Sequence, residues 1–392
     1  GGIFKSIVSK GIMGSERCQA ANPAGTCVEN IKGVMVGGDF VGSGETRAQW
    51  KQQFFDNFSA LSPYVPLIPA LGNHEFFGSR VEGDSDAEIA KWALTYRKYF
   101  ALVPLPSSAT RYPGHYYSLD YLDARIFSVG STPMTAMHNT GSWNEADYDY
   151  GKKGFNANFS QEVQNWMSAS LAEQDKKHLI LLSHQPCLTS TWRVAETVLV
   201  CDLVSKMEQY AEKNNALAAT LVGHSHAFDA GNSMNSRHLW FTVASASGAL
   251  ESATGGDNSD LDIFRNTRLD YGYSELQVQF GSQPRETWKR FSFDAADKPL
   301  AVGDDISISV QANPAQPQLE KSNFGGMARE AVQLRLKTVA PESIYESQWQ
   351  LSRTPDFSGQ VFDVWGDETR RTNLYFDAKG KTFDSRANAD ML

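Results

Sequence analysis

Short apolar runs recur along the first two thirds of the chain, separated by longer amphipathic stretches. Val34-Met35-Val36, Leu67-Ile68, Leu179-Ile180-Leu181-Leu182 and Ala219-Thr220-Leu221-Val222 are bounded by turn-forming residues and read as buried strands, the first two within 34–38 and 65–70. Trp50, Phe54, Phe55, Phe58 and Leu61 recur at helical spacing and predict a helix over 45–62 whose aromatic residues serve the core. Further helices are expected over 86–100, 160–174 and 202–214, with Val163, Trp166, Met167 and Leu171 on one face of the 160–174 helix. Tyr116–Asp120 and Arg125–Val129 flank a turn at Leu122-Asp123 and predict a hairpin. His238–Val243 and Tyr273–Phe280 read as strands.

Near residue 300 the helical patterns fade. Asn313-Pro314-Ala315-Gln316-Pro317 reads as a linker or turn. Short alternating runs follow, at Val332–Leu336, Ser347–Leu351, Gln360–Val364 and Asn373–Phe376, and suggest a β-sandwich. The expected organisation is a domain over 1–302 and an all-β accessory domain over 303–392. A chain of 392 residues has room for both.

Chemistry gathers where the early strands end. Gly38-Asp39, Gly72-Asn73-His74-Glu75, Ser183-His184-Gln185-Pro186 and Gly223-His224-Ser225-His226 each follow one of the four apolar runs. In open α/β sheets ligands bind outside the carboxyl ends of strands, so these Asp, Asn and His side chains are expected to converge. Carboxylate and imidazole suit zinc, iron or manganese, and one carboxylate can bridge two ions. Asp39 is the acidic residue placed directly at a strand end within the set and is the natural bridge. His224 and His226 point the same way on extended backbone, whereas on a tight loop each can face a different metal.

Composition narrows the function classes. Hydrophobic residues make up 41% and aromatics 11%, which supports packed cores. The 45 acidic residues outnumber the 36 basic ones for a net charge of −9, and no Lys/Arg cluster stands out, so general nucleic-acid binding is not expected. Bound metals would still reverse the local charge for an anionic substrate. No apolar run is long enough to span a bilayer. The chain opens at Gly1-Gly2-Ile3 with no signal peptide and reads as a processed or truncated end. The four cysteines form two sequence-local pairs, Cys18/Cys27 and Cys187/Cys201, a usage that favours an oxidising compartment, extracellular or periplasmic; the alternative is four reduced thiols.

The order GD…GNHE…H…GHxH, from about Val34 to Phe280, resembles the calcineurin-like metallophosphoesterases, and within them purple acid phosphatase-like enzymes. Tyr116–Asp120 and the Leu179–Pro186 segment add to that likeness. The resemblance implies an α/β (α+β) fold, a four-layer α/β/β/α sandwich, followed here by the small all-β domain, in which Tyr345–Gly359 is similar to a fibronectin type III-like phrase. It implies two divalent transition metals (Mn, Fe or Zn), with Asp39 bridging, Asn73, His184 and His224 completing one site, and His226 in the other. It implies phosphate-ester hydrolysis by a metal-bridging hydroxide, with His74 as general acid and Glu75 holding it. The substrate would be a phosphorylated small molecule or macromolecule.

Two departures stand out. Purple enzymes carry Tyr three residues after the motif Asp, where this chain has Gly42. The family's opening Asp-x-His-like motif is not found before Asp39. The alternative reading is therefore a catalytically impaired protein of the same fold, acting as a binding or structural module, with the C-terminal domain binding a partner or packing on the first. Within enzymes, a phosphodiesterase or nucleotidase is the alternative to a monoesterase. Beyond the ligand set, His138, Trp143, Asp147, Tyr148 and Tyr150 in the 131–160 loop, Trp192 and Arg193, and Phe228 are candidate pocket residues. His115, His178 and His238 read as structural or exposed.

Overall fold

The computed structural model describes residues 2–13, 31–42, 46–76, 94–100, 112–132, 157–187, 198–232, 238–243, 245–250, 264–293, 299–302 and 306–309, and short stretches at 318–319, 336–337, 347–352, 354, 361–366, 374–376 and 382–384. The dominant element is a seven-stranded sheet. Its strands are β3 (Tyr116–Tyr121), β4 (Ala124–Val129), β5 (His178–Ser183), β6 (Leu217–Val222), β7 (Phe228–Asn232), β8 (His238–Thr242) and β9 (Phe264–Arg268), in the order β3-β4-β5-β6-β8-β7-β9. β4, β5, β6 and β8 are parallel, while β3, β7 and β9 pair antiparallel at its two edges.

Strands buried on both faces read as continuous apolar runs, and β5 and β6 are buried at all six positions. Their alternate side chains serve two cores. Leu179 and Leu181 face one core with Val163 and Met167 of helix α4 (Ala157–Ala172) and Leu203 and Met207 of helix α5 (Val198–Asn214). Ile180, Leu182, Ala219 and Leu221 face the other, with Ile68 and Trp288.

Ile68 and Trp288 belong to the second layer, which comes in two pieces. Parallel strands β1 (Val34–Val36) and β2 (Leu67–Pro69) form one. The other is β10 (Tyr271–Gln279) paired with β11 (Arg285–Phe293), which in turn pairs with β12 (Pro299–Val302) and β13 (Ile306–Ser309). Met35 and Leu276 pack on the inter-sheet core, whereas Val34, Val36 and Leu67 face a helical layer. That outer layer contains α1 (Gly2–Ser6), which continues as a π-helical stretch Ile7–Ile12, and α2 (Arg47–Gln49), which runs on through Trp50–Phe55 to Asp56–Phe58. It also contains α3 (Leu94–Tyr99). Phe40, Trp50, Phe54, Tyr96 and Phe100 form its aromatic cluster. The result is helices, sheet, sheet, helices: the four-layer sandwich expected.

Between the two pieces of the second layer lies a cavity of about 1910 Å³, bordered by residues 33–36 on one side and 272–278 on the other. Among the described residues, β1 pairs with β2 alone and β10 with β11 alone. Val34 N–H donates to Pro66 and Val36 C=O accepts from Ala70, so in this parallel ladder the backbone groups of Met35 point away from β2, toward the cavity. The Gly272 amide donates away from β11, to Ser245, and its alternation partners Ser274, Leu276 and Val278 share that outward edge.

Beyond residue 310 the described strands pair among themselves: β14 (Gln318–Leu319) with β15 (Leu336–Lys337), β16 (Ser347–Ser352) with β17 (Val361–Gly366), and β18 (Leu374–Phe376) with β19 (Thr382–Asp384). They make up a small, separate β-sheet unit. The expected helix over 86–100 is described at Leu94–Tyr99 only; its first half, the 313–317 linker and the Cys18/Cys27 pair lie outside the described residues. The other pair, Cys187 and Cys201, is disulfide-bonded. Among the described residues no helix is long and apolar enough to cross a membrane.

Candidate metal centre

The loops leaving β1, β2, β5 and β6 meet at one end of the sandwich. Their approach is close. A Cβ on Gly72 would collide with the carboxylate of Asp39, and one on Gly38 would lie 2.6 Å from His184 Nδ1. Gly38 also takes φ 88°, a region that favours glycine. Asp39, His224 and His226 take φ of 54°, 66° and 49°. They are three of the five non-glycine residues with positive φ among those described, and such strain clusters at functional sites.

His184 Nδ1 lies 2.6 Å from the Gly37 carbonyl oxygen, which can only accept, so this nitrogen carries the proton and Nε2 of the neutral ring presents a lone pair. That nitrogen faces Asn73 Oδ1 at 2.9 Å and Asp39 Oδ2 at 3.1 Å. His224 Nδ1 lies 3.1 Å from Asn73 Oδ1 and 3.2 Å from His184 Nε2. Lone pairs crowded together this way repel unless positive charge stands among them, either an added proton or a cation. The ionisation shifts say the same. Burial acts to lower the His184 pKa, yet the Asp39 charge and hydrogen bond leave it raised. Burial acts to raise Asp39, yet His184 and then His74 carry it well below the usual carboxylate range. One ligand atom from each of Asp39, His184 and His224 falls within 4.8 Å of the others. With the Asn73 carbonyl, this donor chemistry fits a divalent transition metal.

The remaining residues divide plainly. His74 donates its backbone N–H to Asp39 Oδ1 at 3.0 Å, its Nδ1 lies 2.8 Å from the Gly42 carbonyl oxygen, and its Nε2 is 3.7 Å from Asp39 Oδ2. His226 borders the cavity with Asp39 and His74, outside the three-residue donor group. Glu75, buried, accepts the amides of Gly72 at 2.7 Å, Phe40 at 2.8 Å and Asp39 at 3.0 Å. Burial, then the Asp39 charge, push its carboxyl up to about 8 against the pull of those amides. His178 pairs with Glu286 at 3.0 Å and His238 with Glu208 at 2.8 Å, both inter-element contacts. Phe228 is buried beneath the Arg290 guanidinium. His138, Trp143, Asp147, Tyr148, Tyr150, Trp192 and Arg193 lie outside the described residues.

Sequence reasoning missed the loop's anchors. The Gln185 amide N–H donates to Ser131 Oγ at 2.9 Å and its side chain to Thr132 Oγ1 at 3.1 Å. Two residues on, the Cys187–Cys201 disulfide ties the same loop to α5. Nothing in the spacing of Ser131 or Thr132 signalled that role.

A sandwich whose strand-end loops gather Asp, Asn and His donors defines a metallophosphoesterase-type fold. The calcineurin-like phosphoesterase family model matches residues 18–228, more than half of the chain, and the chain belongs to that family. Among curated proteins none matches. Among solved structures the chain is similar to GAP50, the anchor in the inner membrane complex of Plasmodium, at 13% identity, covering 77% of this chain and 82% of that one, with a TM-score of 0.44. It is similar to PhoD at 15% identity, covering 67% and 56%, TM-score 0.43. It is also similar to Chaetomium thermophilum Vps29 at 11% identity, covering 72% and 83%, TM-score 0.26.

Proposed function

We propose that this calcineurin-like chain holds one divalent transition metal on Asp39, Asn73, His184 and His224 and serves as a phosphate-recognising binding module with impaired hydrolysis. The observation that supports this is that the described residues hold one such donor group, Asp39, His184 and His224 within 4.8 Å, with His226 outside it. A bound ion would supply Lewis acidity and neutralise charge on a phosphoryl oxygen. The chain's own contribution is a preset geometry. Gly37 holds the His184 tautomer, His74 N–H occupies Asp39 Oδ1, and Oδ2 is left toward His184.

A second reading is favoured by the His74 ring. With Nδ1 held at the Gly42 carbonyl, Nε2 faces the Asp39 side of the site, where a general acid for a leaving oxygen would stand. On this reading the protein is a phosphoric ester hydrolase of purple acid phosphatase-like type with two metals, His226 helping to hold the second. Mono- and diester substrates are then both candidates. Under either reading we place the protein outside the cytoplasm, on the strength of the Cys187–Cys201 disulfide. We also assign 1–302 to the metal-holding domain and 303–392 to a fibronectin-like accessory domain.

Elemental analysis of metal-supplemented protein, coupled to hydrolysis of an aryl phosphate and its diester, separates the readings. One metal per chain with negligible turnover supports the binding module. Two metals with turnover support the hydrolase. No bound transition metal removes both.

A further inference from the structure

We infer that Glu75 is the positioning residue of the metal centre, a buried clamp that locks the β1 loop to the β2 loop; the inference rests on the metal-holding reading. Next to His74 in sequence, Glu75 reads as a partner for that ring. In space its carboxylate turns back on the main chain. Oε2 accepts the amides of Gly72 and Asp39, and Oε1 accepts that of Phe40. Gly72 belongs to the loop that supplies Asn73, and Asp39 and Phe40 to the loop that supplies the carboxylate ligand. The strands carrying these loops are three residues each, too short to fix two ligand loops by sheet pairing alone.

The clamp acts at the ligand itself. Asp39 sits at φ 54°, and the bond to its own amide holds that conformation. His74 N–H takes Asp39 Oδ1 from the β2 side. The two loops are therefore tied in both directions, Glu75 to the β1-loop amides and Asp39 to a β2-loop amide. Both ties leave Asp39 Oδ2 and Asn73 Oδ1 on the His184 Nε2 atom, at 3.1 and 2.9 Å. Every acceptor site Glu75 uses is spent on a backbone N–H, so a glutamine there would press its NH₂ against at least one of them. Partners of this kind, behind the ligands, are typically worth about 10–100-fold in metal affinity.

The test uses residues 1–392 and Mn²⁺ or Zn²⁺ as the probe, with calorimetric affinity and backbone hydrogen exchange as readouts. Glu75→Gln is expected to weaken metal binding about 10–100-fold and to speed exchange at the amides of Asp39, Phe40 and Gly72. Glu286→Gln, a buried change in the remote His178 pair, is expected to leave metal affinity within error of the parent. Unchanged exchange at the three amides overturns the inference, as does an equal loss of affinity in both variants. A parent that binds no metal, with exchange still faster in Glu75→Gln, keeps the loop clamp and removes the metal-holding reading. Should Glu75→Gln not fold, Glu75→Asp keeps the carboxyl group and its two acceptor oxygens one methylene back. It is expected to show the same two effects at smaller size, and parental values for both overturn the inference.

Discussion

His74 Nδ1 lies 2.8 Å from the carbonyl oxygen of Gly42, three residues beyond Asp39. A carbonyl only accepts, so the ring is held with its proton on Nδ1 and its Nε2 faces the Asp39 side, 3.7 Å from Asp39 Oδ2. The contact runs between main chain and ring, so residue 42 serves it without a side chain. Under the hydrolase reading, His74→Ala is predicted to keep its metal content while kcat for an aryl phosphate falls about 10²–10⁴-fold. An unchanged kcat would remove His74 from that role.

Asp39 is the carboxylate that the His184 ring faces, and its charge is what makes a cation welcome among four lone pairs. Asp39→Asn is predicted to lose bound metal in elemental analysis while keeping the His74 N–H contact through its remaining oxygen. In the parent, metal at a hundredfold excess over Kd is predicted to add about 2.7 kcal/mol of stability by mass action. Chelation should return the melting point of the parent to its metal-free value and leave that of Asp39→Asn unmoved.

Gly72 has no room for a side chain, since any Cβ would run into the Asp39 carboxylate. Gly72→Ala is predicted to abolish metal binding by pushing the β2 loop off Asp39, with the far-UV spectrum of the sandwich kept. Retained affinity would show that the two loops yield more readily than their packing implies.

His178 and Glu286, both fully buried, join the seven-stranded sheet to β11. Removing one partner of a buried pair costs about 3–5 kcal/mol. Glu286→Ala is therefore predicted to lower stability by that amount in denaturant melts; a loss below about 1 kcal/mol would show that the pair contributes little.

The convergence of Asp39, Asn73, His184 and His224 was legible because each follows an apolar run that the fold uses as a strand, half-buried in β1 and fully buried in β5 and β6. The hairpin at Leu122-Asp123 was legible for the same reason, its turn chemistry marking both strand ends. Strand β11 was not. Its inward positions are Glu286, Trp288, Arg290 and Ser292, three of them polar, so the buried face carries the residues that normally mark an exposed one. Burial is tolerated there because Glu286 meets His178, and Arg290 meets Asp270 at 3.0 Å and the Phe228 ring. Those partners are remote in sequence, so no local pattern could reveal them. Glu75 misled for the opposite reason. Its neighbour His74 offers an obvious partner, while two of its three partner amides, those of Asp39 and Phe40, lie about 35 residues upstream and are brought near by the parallel pairing of β1 with β2.

The split in the second layer bears on how these residues behave at high concentration. Met35 on one side and Ser274, Leu276 and Val278 on the other present backbone groups toward an apolar gap, and edges that, as here, find no strand partner among the described residues are templates for pairing between molecules. Residues 1–392 are predicted to self-associate as concentration rises. Val278→Pro, which removes an outward N–H and spares the ladder to β11, is predicted to reduce that association in light scattering. Self-association of this chain would thus be governed by the facing edges of β1 and β10, and Met35 on the first of them lies only four residues before Asp39.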